Sequence, residues 1–227
     1  MEAHPAEPPH AEPPKDCPLC PRLVAYRVAN RAAHPDWWNA PVPGWGDPDA
    51  WLAIVGLAPG VTGANRTGRP FTGDHAGMLL YATLAKFGLS RGIFDARADD
   101  GLALTGAFIT NAVRCVPPEN KPVPVEIHAC RPFLVGQLAA LPRLEVVLAL
   151  GSIAHQSAVK ALGGKLPKVP FGHGAVHRLH TGVTLVDSYH CSRYNTNTGR
   201  LTATMFEDAF AAAVAARRPV ADAPPLS

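Results

Sequence analysis

Long apolar runs are missing from this chain of 227 residues. None approaches the roughly 18 residues of a membrane span, which excludes a helical membrane protein. The polar, proline-rich start lacks the order of a secretory signal, so the expectation is a cytoplasmic protein. Charge is scarce: Asp, Glu, Lys and Arg make up 17 % of residues, against 47 % hydrophobic. A disordered chain has the opposite balance, and the length suits one domain. The net charge of +3 is compatible with an anionic partner but is not gathered into a tail, so a nucleic-acid surface has to be built by folding. The 24 prolines and 20 glycines argue against a helical bundle. Five cysteines, an odd number without a secretory signal, favour metal or cluster ligation over disulfides.

Residues 1–15 are rich in Pro, Glu, His and Ala and read as a disordered tail, as do residues 217–227. Between them lies one domain, residues 16–216. Four apolar runs (Trp51–Gly56, Ala107–Val113, Val146–Gly151 and Val183–Val186) suit buried parallel strands. Helical patterns separate them. Met78, Leu79, Leu84 and Phe87 form one stripe. Ile127, Cys130, Leu134 and Leu138 form a second, opened by Pro124. Residues 152–162 and 200–216 are Ala-rich, the latter with Met205, Phe206, Ala209, Phe210 and Ala213 on one face. The alternation predicts an α/β fold: a three-layer α/β/α domain around a central parallel four-stranded sheet. Functional loops then leave the carboxyl ends of the strands, after Gly56, Val113, Gly151 and Asp187.

Cys17 and Cys20 form a Cys-x-x-Cys pair. Cys115 follows the second strand and Cys130 lies on the next helix. Four thiolates suit tetrahedral zinc or an iron–sulfur cluster, although the split spacing is unlike a zinc ribbon. The competing reading is a redox dithiol plus two buried apolar cysteines. Cys191 is the weakest ligand candidate. His173, His177 and His180 read better as structural residues than as a second metal site, because no helix aligns them.

The loop from Gly56 to Asp74 contains Gly56, Gly60, Gly63, Gly68 and Gly73, which let backbone approach a ligand closely. Arg66 and Arg69 can reach phosphate, Phe71 can stack on a planar ring, and Asp74 can bind or activate water. It is neither a P-loop nor a dinucleotide turn. The loop from Asp187 to Arg200 carries His190, able to donate to a developing anion.

These motifs resemble a known family. The Gly56-Leu57-Ala58-Pro59-Gly60 loop, the run Asn65–Asp74, the segment Ala112-Val113-Arg114-Cys115-x-Pro-Pro, the Phe171-x-His173-Gly174 element and the run from Tyr189 to Leu201 are similar to family 5 uracil-DNA glycosylases, iron–sulfur members of the uracil-DNA glycosylase superfamily. The resemblance spans about residues 16–216. It implies that Cys17, Cys20, Cys115 and Cys130 hold a [4Fe–4S] cluster, that Phe71 stacks on a flipped uracil in a pocket that includes Ala58 and Gly60, and that His190 donates to uracil O2. Leu57 stands where family 4 enzymes have a water-activating Glu, which leaves Asp74 to handle the water or the sugar cation. Two positions depart from the pattern. Asn111 is the family 4 choice; its amide can pair with O4 and N3 of uracil and reject cytosine. Asn120 is a second amide able to do this. Cys191 replaces an aliphatic residue.

The mechanism implied starts with extrusion of the nucleotide from the duplex. Ser192, Arg193, Tyr194 and Asn195 enter the minor groove, and Arg193 or Tyr194 fills the gap left by the base. Arg66 and Arg69 contact phosphate. No lysine in these loops can form a Schiff base, so the expectation is a monofunctional glycosylase, monomeric, acting on DNA that contains uracil and other deaminated bases. The alternatives are a non-catalytic iron–sulfur DNA-binding or damage-sensing protein and a zinc-bearing nucleotide-binding protein.

Overall fold

The structure, a computed structural model, describes residues 12–217. In chain order the elements are α1 (Pro21–Ala33), β1 (Trp45–Gly46), β2 (Leu52–Gly56), α2 (Ala64–Thr67), α3 (His75–Lys86), β3 (Ser90–Arg91), β4 (Ala103–Leu104) and β5 (Ala107–Asn111). There follow α4 (Pro124–Ala139), β6 (Val146–Leu150), α5 (Ser152–Ala161), β7 (Val176–Arg178), β8 (Thr184–Ser188), α6 (Arg193–Asn197) and α7 (Ala203–Ala215).

The main sheet has the order β1-β5-β2-β6-β8-β7. Its centre is the expected set of four parallel strands, β5-β2-β6-β8. The sheet is wider than four strands, because short antiparallel strands close both edges: β1 on β5 and β7 on β8. Two- and three-residue strands carry no periodicity to read. Side chains alternate across the sheet. Leu52 and Ile54 of β2 face one core with Leu80, Leu84, Phe206 and Phe210. Ala53 and Val55 face the other, with Leu134, Leu138, Ala158 and Val159. Thus α3 and α7 cover one face and α4 and α5 the other, the three layers expected.

Of the expected α3 stripe, Leu84 is buried and Leu79 and Phe87 pack against the core, but Met78 does not. Met78 is exposed, and the buried face is Ala76, Gly77, Leu80, Tyr81, Thr83 and Leu84. The tail boundary at residue 15 also moves. The Glu12 carboxylate accepts from buried Arg114, from Gln137 Nε2 at 2.5 Å and from Gly44 N at 2.9 Å. At the other end, Arg217 lies over the Trp51 ring at 4.9 Å. The rest of both tail assignments, residues 1–11 and 218–227, lies outside the described residues. Among the described residues no helix is long and apolar enough to cross a membrane.

Candidate active site

The carboxyl ends of β2, β5 and β8 converge on one small cavity. Ala58, Pro59, Gly60, Ala64, Phe71, Asp74, Ala76, Asn111 and His190 line it, with about 30 Å³ left for the centres of water molecules. That is room for little more than a water or two, so a larger guest must move the walls.

Each side chain is held by its element. Asn111 is the last residue of β5 and is 4 % exposed. Its Oδ1 is buried with no hydrogen-bond partner, a cost of about 1–3 kcal/mol unless a ligand supplies a donor. Phe71 is buried and takes a left-handed backbone (φ 53), a conformation non-glycine residues adopt at a cost. Gly56 makes the meeting of these two possible: a Cβ there would collide with Asn111 Oδ1 and lie 2.7 Å from Phe71 Cζ. Asp74 caps α3, accepting from Gly77 N at 3.3 Å, and burial raises its pKa above the ordinary carboxylate value. Its carboxylate fits against Gly60 and Gly63, where Cβ atoms would meet it.

His190 stands opposite. Its ring is 5.9 Å from the Phe71 ring, at 26° to it. Burial pushes its pKa down to about 4, so the imidazole is neutral at neutral pH. Asn195 Nδ2 donates to the His190 carbonyl at 2.8 Å, and Ser192 caps α6 by accepting from Asn195 N. Asn195 therefore orients the His190 loop. His75 Nε2 and Thr196 Oγ1 lie 3.0 Å apart, which ties α6 to the start of α3. Tyr194 is 71 % exposed at the tip, and Arg193 and Arg66 are exposed on the same loops. His190 also borders a wider cleft with Leu57, Gly151, Phe171, Tyr189 and Arg200, and Leu57 lines that cleft rather than the small cavity.

Two expected residues are elsewhere. Arg69 is 4 % exposed; both terminal nitrogens donate to Asp100 at 2.7 Å, and its guanidinium lies over the Trp45 ring at 4.9 Å. Buried and paired in this way, it does not present its guanidinium at the surface for phosphate and is withdrawn as a DNA contact. Asn120 sits exposed in the 3-10 turn Pro118–Asn120 with φ 56, outside the cavity lining, and is withdrawn as a base reader. Sequence reasoning missed Asp100, thirty-one residues from Arg69 with nothing local to link them. It also missed the buried His155–Asp187 pair (2.7 Å) that anchors the end of β8.

A second cavity is lined by Cys17, Cys20, Cys115 and Cys130 together with Leu23, Val113, Phe133 and Arg27. The four cysteines come from the segment before α1, the loop after β5, and α4. Burial pushes the Cys115 thiol up to about 11 and the Cys130 thiol up to about 12, so both ionise only beside a cation. Among the described residues no three His, Cys, Asp or Glu side chains converge on a single-ion site. Four thiols lining one cavity are a donor set that suits an iron–sulfur cluster or zinc. His173 accepts from Tyr189 N at 3.1 Å, and His177 Nε2 lies 3.7 Å from Asp187 Oδ2.

Comparison with known proteins places this chain, with its parallel-centred sheet and the cavity at its strand ends, in the uracil DNA glycosylase superfamily. The sequence model of that family matches residues 43–214, and this chain is a member. A type-5 uracil-DNA glycosylase of Thermus thermophilus is 48 % identical over 195 residues, covering 84 % of this chain and 89 % of that protein. The type-5 uracil-DNA glycosylase of Mycobacterium bovis is 45 % identical, over 86 % of this chain and 75 % of that protein. A type-4 uracil-DNA glycosylase of Pyrobaculum aerophilum is 36 % identical, over 68 % of this chain and 65 % of that protein.

Proposed function

We propose that this chain excises uracil from DNA by hydrolysing the bond between base and sugar, leaving an abasic site. The observation that carries the reading is the cavity itself, where a buried acceptor without a partner (Asn111 Oδ1), an aromatic wall (Phe71) and a neutral imidazole (His190) meet. Uracil fits that set. Its N3–H satisfies Asn111 Oδ1, its face lies on Phe71, and its O2 accepts from His190. Cytosine offers N3 as an acceptor, which leaves two acceptors facing each other.

The base must first leave the stack. Tyr194, exposed at the tip of α6, is placed to occupy the gap. As the glycosidic bond lengthens, negative charge grows on the base and positive charge on the sugar. A neutral His190 donates more strongly to that growing charge than to the ground-state carbonyl, so it lowers the barrier. Asp74, aimed into the same cavity, stabilises the sugar cation or orients the attacking water once ionised. No lysine lines the cavity, in keeping with hydrolysis and without strand cleavage. Cys17, Cys20, Cys115 and Cys130 would hold a [4Fe–4S] cluster. Bound there, it would tie the N-terminal segment to the β5 loop and α4, and no electron transfer is required of it.

Alkali treatment of labelled oligonucleotides tests this. Uracil opposite G, opposite A and unpaired should each yield a cleaved strand. His190→Ala should lose about 10²–10³ in rate, the loss seen for a missing oxyanion donor. Equal rates in the two proteins would remove His190 from its role.

A further inference from the structure

Arg27, on α1, is 3 % exposed and lines the cysteine cavity. Its Nη2 donates to the Cys17 carbonyl at 3.1 Å and its Nη1 to Cys115 Sγ at 3.7 Å. Its Nε is buried with no partner. No carboxylate among the described residues lies within ion-pair distance of it. The nearby buried arginine, Arg114, differs: it is paired with Glu12. A guanidinium taken out of water without a counter-charge is strongly disfavoured. Asp16 feels the charge of Arg27, but its carboxylate is paired with Arg31; the anion-forming group that Arg27 itself contacts is the Cys115 thiol.

We infer that Arg27 is the built-in counter-charge of the cluster: it offsets the negative charge of the thiolate-ligated irons through Cys115 and so sets both how tightly the cluster is held and its reduction potential. The inference rests on the [4Fe–4S] reading above. Net charge and hydrogen bonds to the sulfurs are levers on cluster potential. A cation at a ligand sulfur favours the more negative form of the couple, so its removal makes the potential more negative. Partners of metal ligands typically change metal affinity by about 10–100-fold.

The test uses the full chain isolated anaerobically with its cluster, as wild type, Arg27→Met and Arg27→Lys. Iron and sulfide per chain, the rate of loss of cluster absorbance under a chelator, and the potential by voltammetry are measured. Arg27→Met should lose the cluster about 10–100-fold faster and show a more negative potential. Arg27→Lys, which keeps the charge, should shift less. Should Arg27→Met fail to load, loading of Arg27→Lys supports the charge role, and failure of both overturns it. Equal potential and equal loss rate in Arg27→Met and wild type also overturn it. A wild-type chain that carries no iron and sulfide would instead sink the cluster reading itself.

Discussion

The His190 imidazole is neutral because burial pushes its pKa to about 4, well below the ordinary 6.5. In that window the unfolded chain takes up a proton that the folded chain refuses. Stability from this group is therefore intact above pH 6.5 and falls as pH drops toward 4. Urea midpoints measured across this range should fall more steeply for wild type than for His190→Ala; identical slopes would contradict the desolvated, neutral ring. Asn111 acts at the same scale. Asn111→Ala removes the buried acceptor and should lower kcat/KM on uracil by about 1–3 kcal/mol, with a smaller discrimination against cytosine, measured by base release from matched oligonucleotides. Arg69 gives the contrary lesson. An arginine in a glycine-rich loop reads as a phosphate ligand, yet its ion pair with Asp100 is 4 % and 1 % exposed. Hydrogen bonds from Arg69 hold the Asp100 carboxyl well below the usual range. Asp100→Ala should cost about 3–5 kcal/mol in urea unfolding, since it strands a buried cation.

At the scale of elements, β5 joins the two cavities. It ends in Asn111, and the chain reaches Cys115 four residues later, with Ala112 N and Val113 N donating to the Gly56 and Leu57 carbonyls. The loop that carries a cluster ligand is thus bonded to the loop that forms the base pocket. The five-residue α6 presents Tyr194 to solvent from a turn closed by Ser192 and tied to α3 through Thr196. Tyr194→Ala should slow excision from duplex DNA and leave single-stranded substrate nearly unchanged, because only the duplex leaves a gap to fill; equal losses on both would remove Tyr194 from that role. The four parallel strands were legible because full burial makes each a continuous apolar run. The edge strands β1 and β7 were too short to read. On α3, Leu79, Leu84 and Phe87 face the core as their spacing suggests, but Met78, apolar and helical in spacing, faces outward. Asp74, Phe71, Asn111 and His190 were legible as motif positions. That Asn195 holds the His190 carbonyl depends on loop geometry that no local pattern encodes.

For the whole molecule, four cysteines scattered from residue 17 to residue 130 line one cavity, and the sequence offered only the Cys17–Cys20 pair as a local sign. Arg27 gave no sign at all: it is one arginine on a helix until the fold buries it. Glu12 likewise lies in a stretch whose composition reads as tail, but its carboxylate meets Arg114 and Gln137 beneath the β5 loop. Cys20→Ser should lower iron per chain and the melting temperature together, since the cluster would cross-link the segment before α1 to the body. The account as a whole rests on release of the base. Chromatographic detection of free uracil from a uracil:guanine duplex, with wild type beside His190→Ala, measures this directly. The account predicts stoichiometric uracil from the wild type and a rate about 10²–10³ lower from the variant. Binding of the duplex by cluster-loaded wild type with no free base released over long incubation would contradict it.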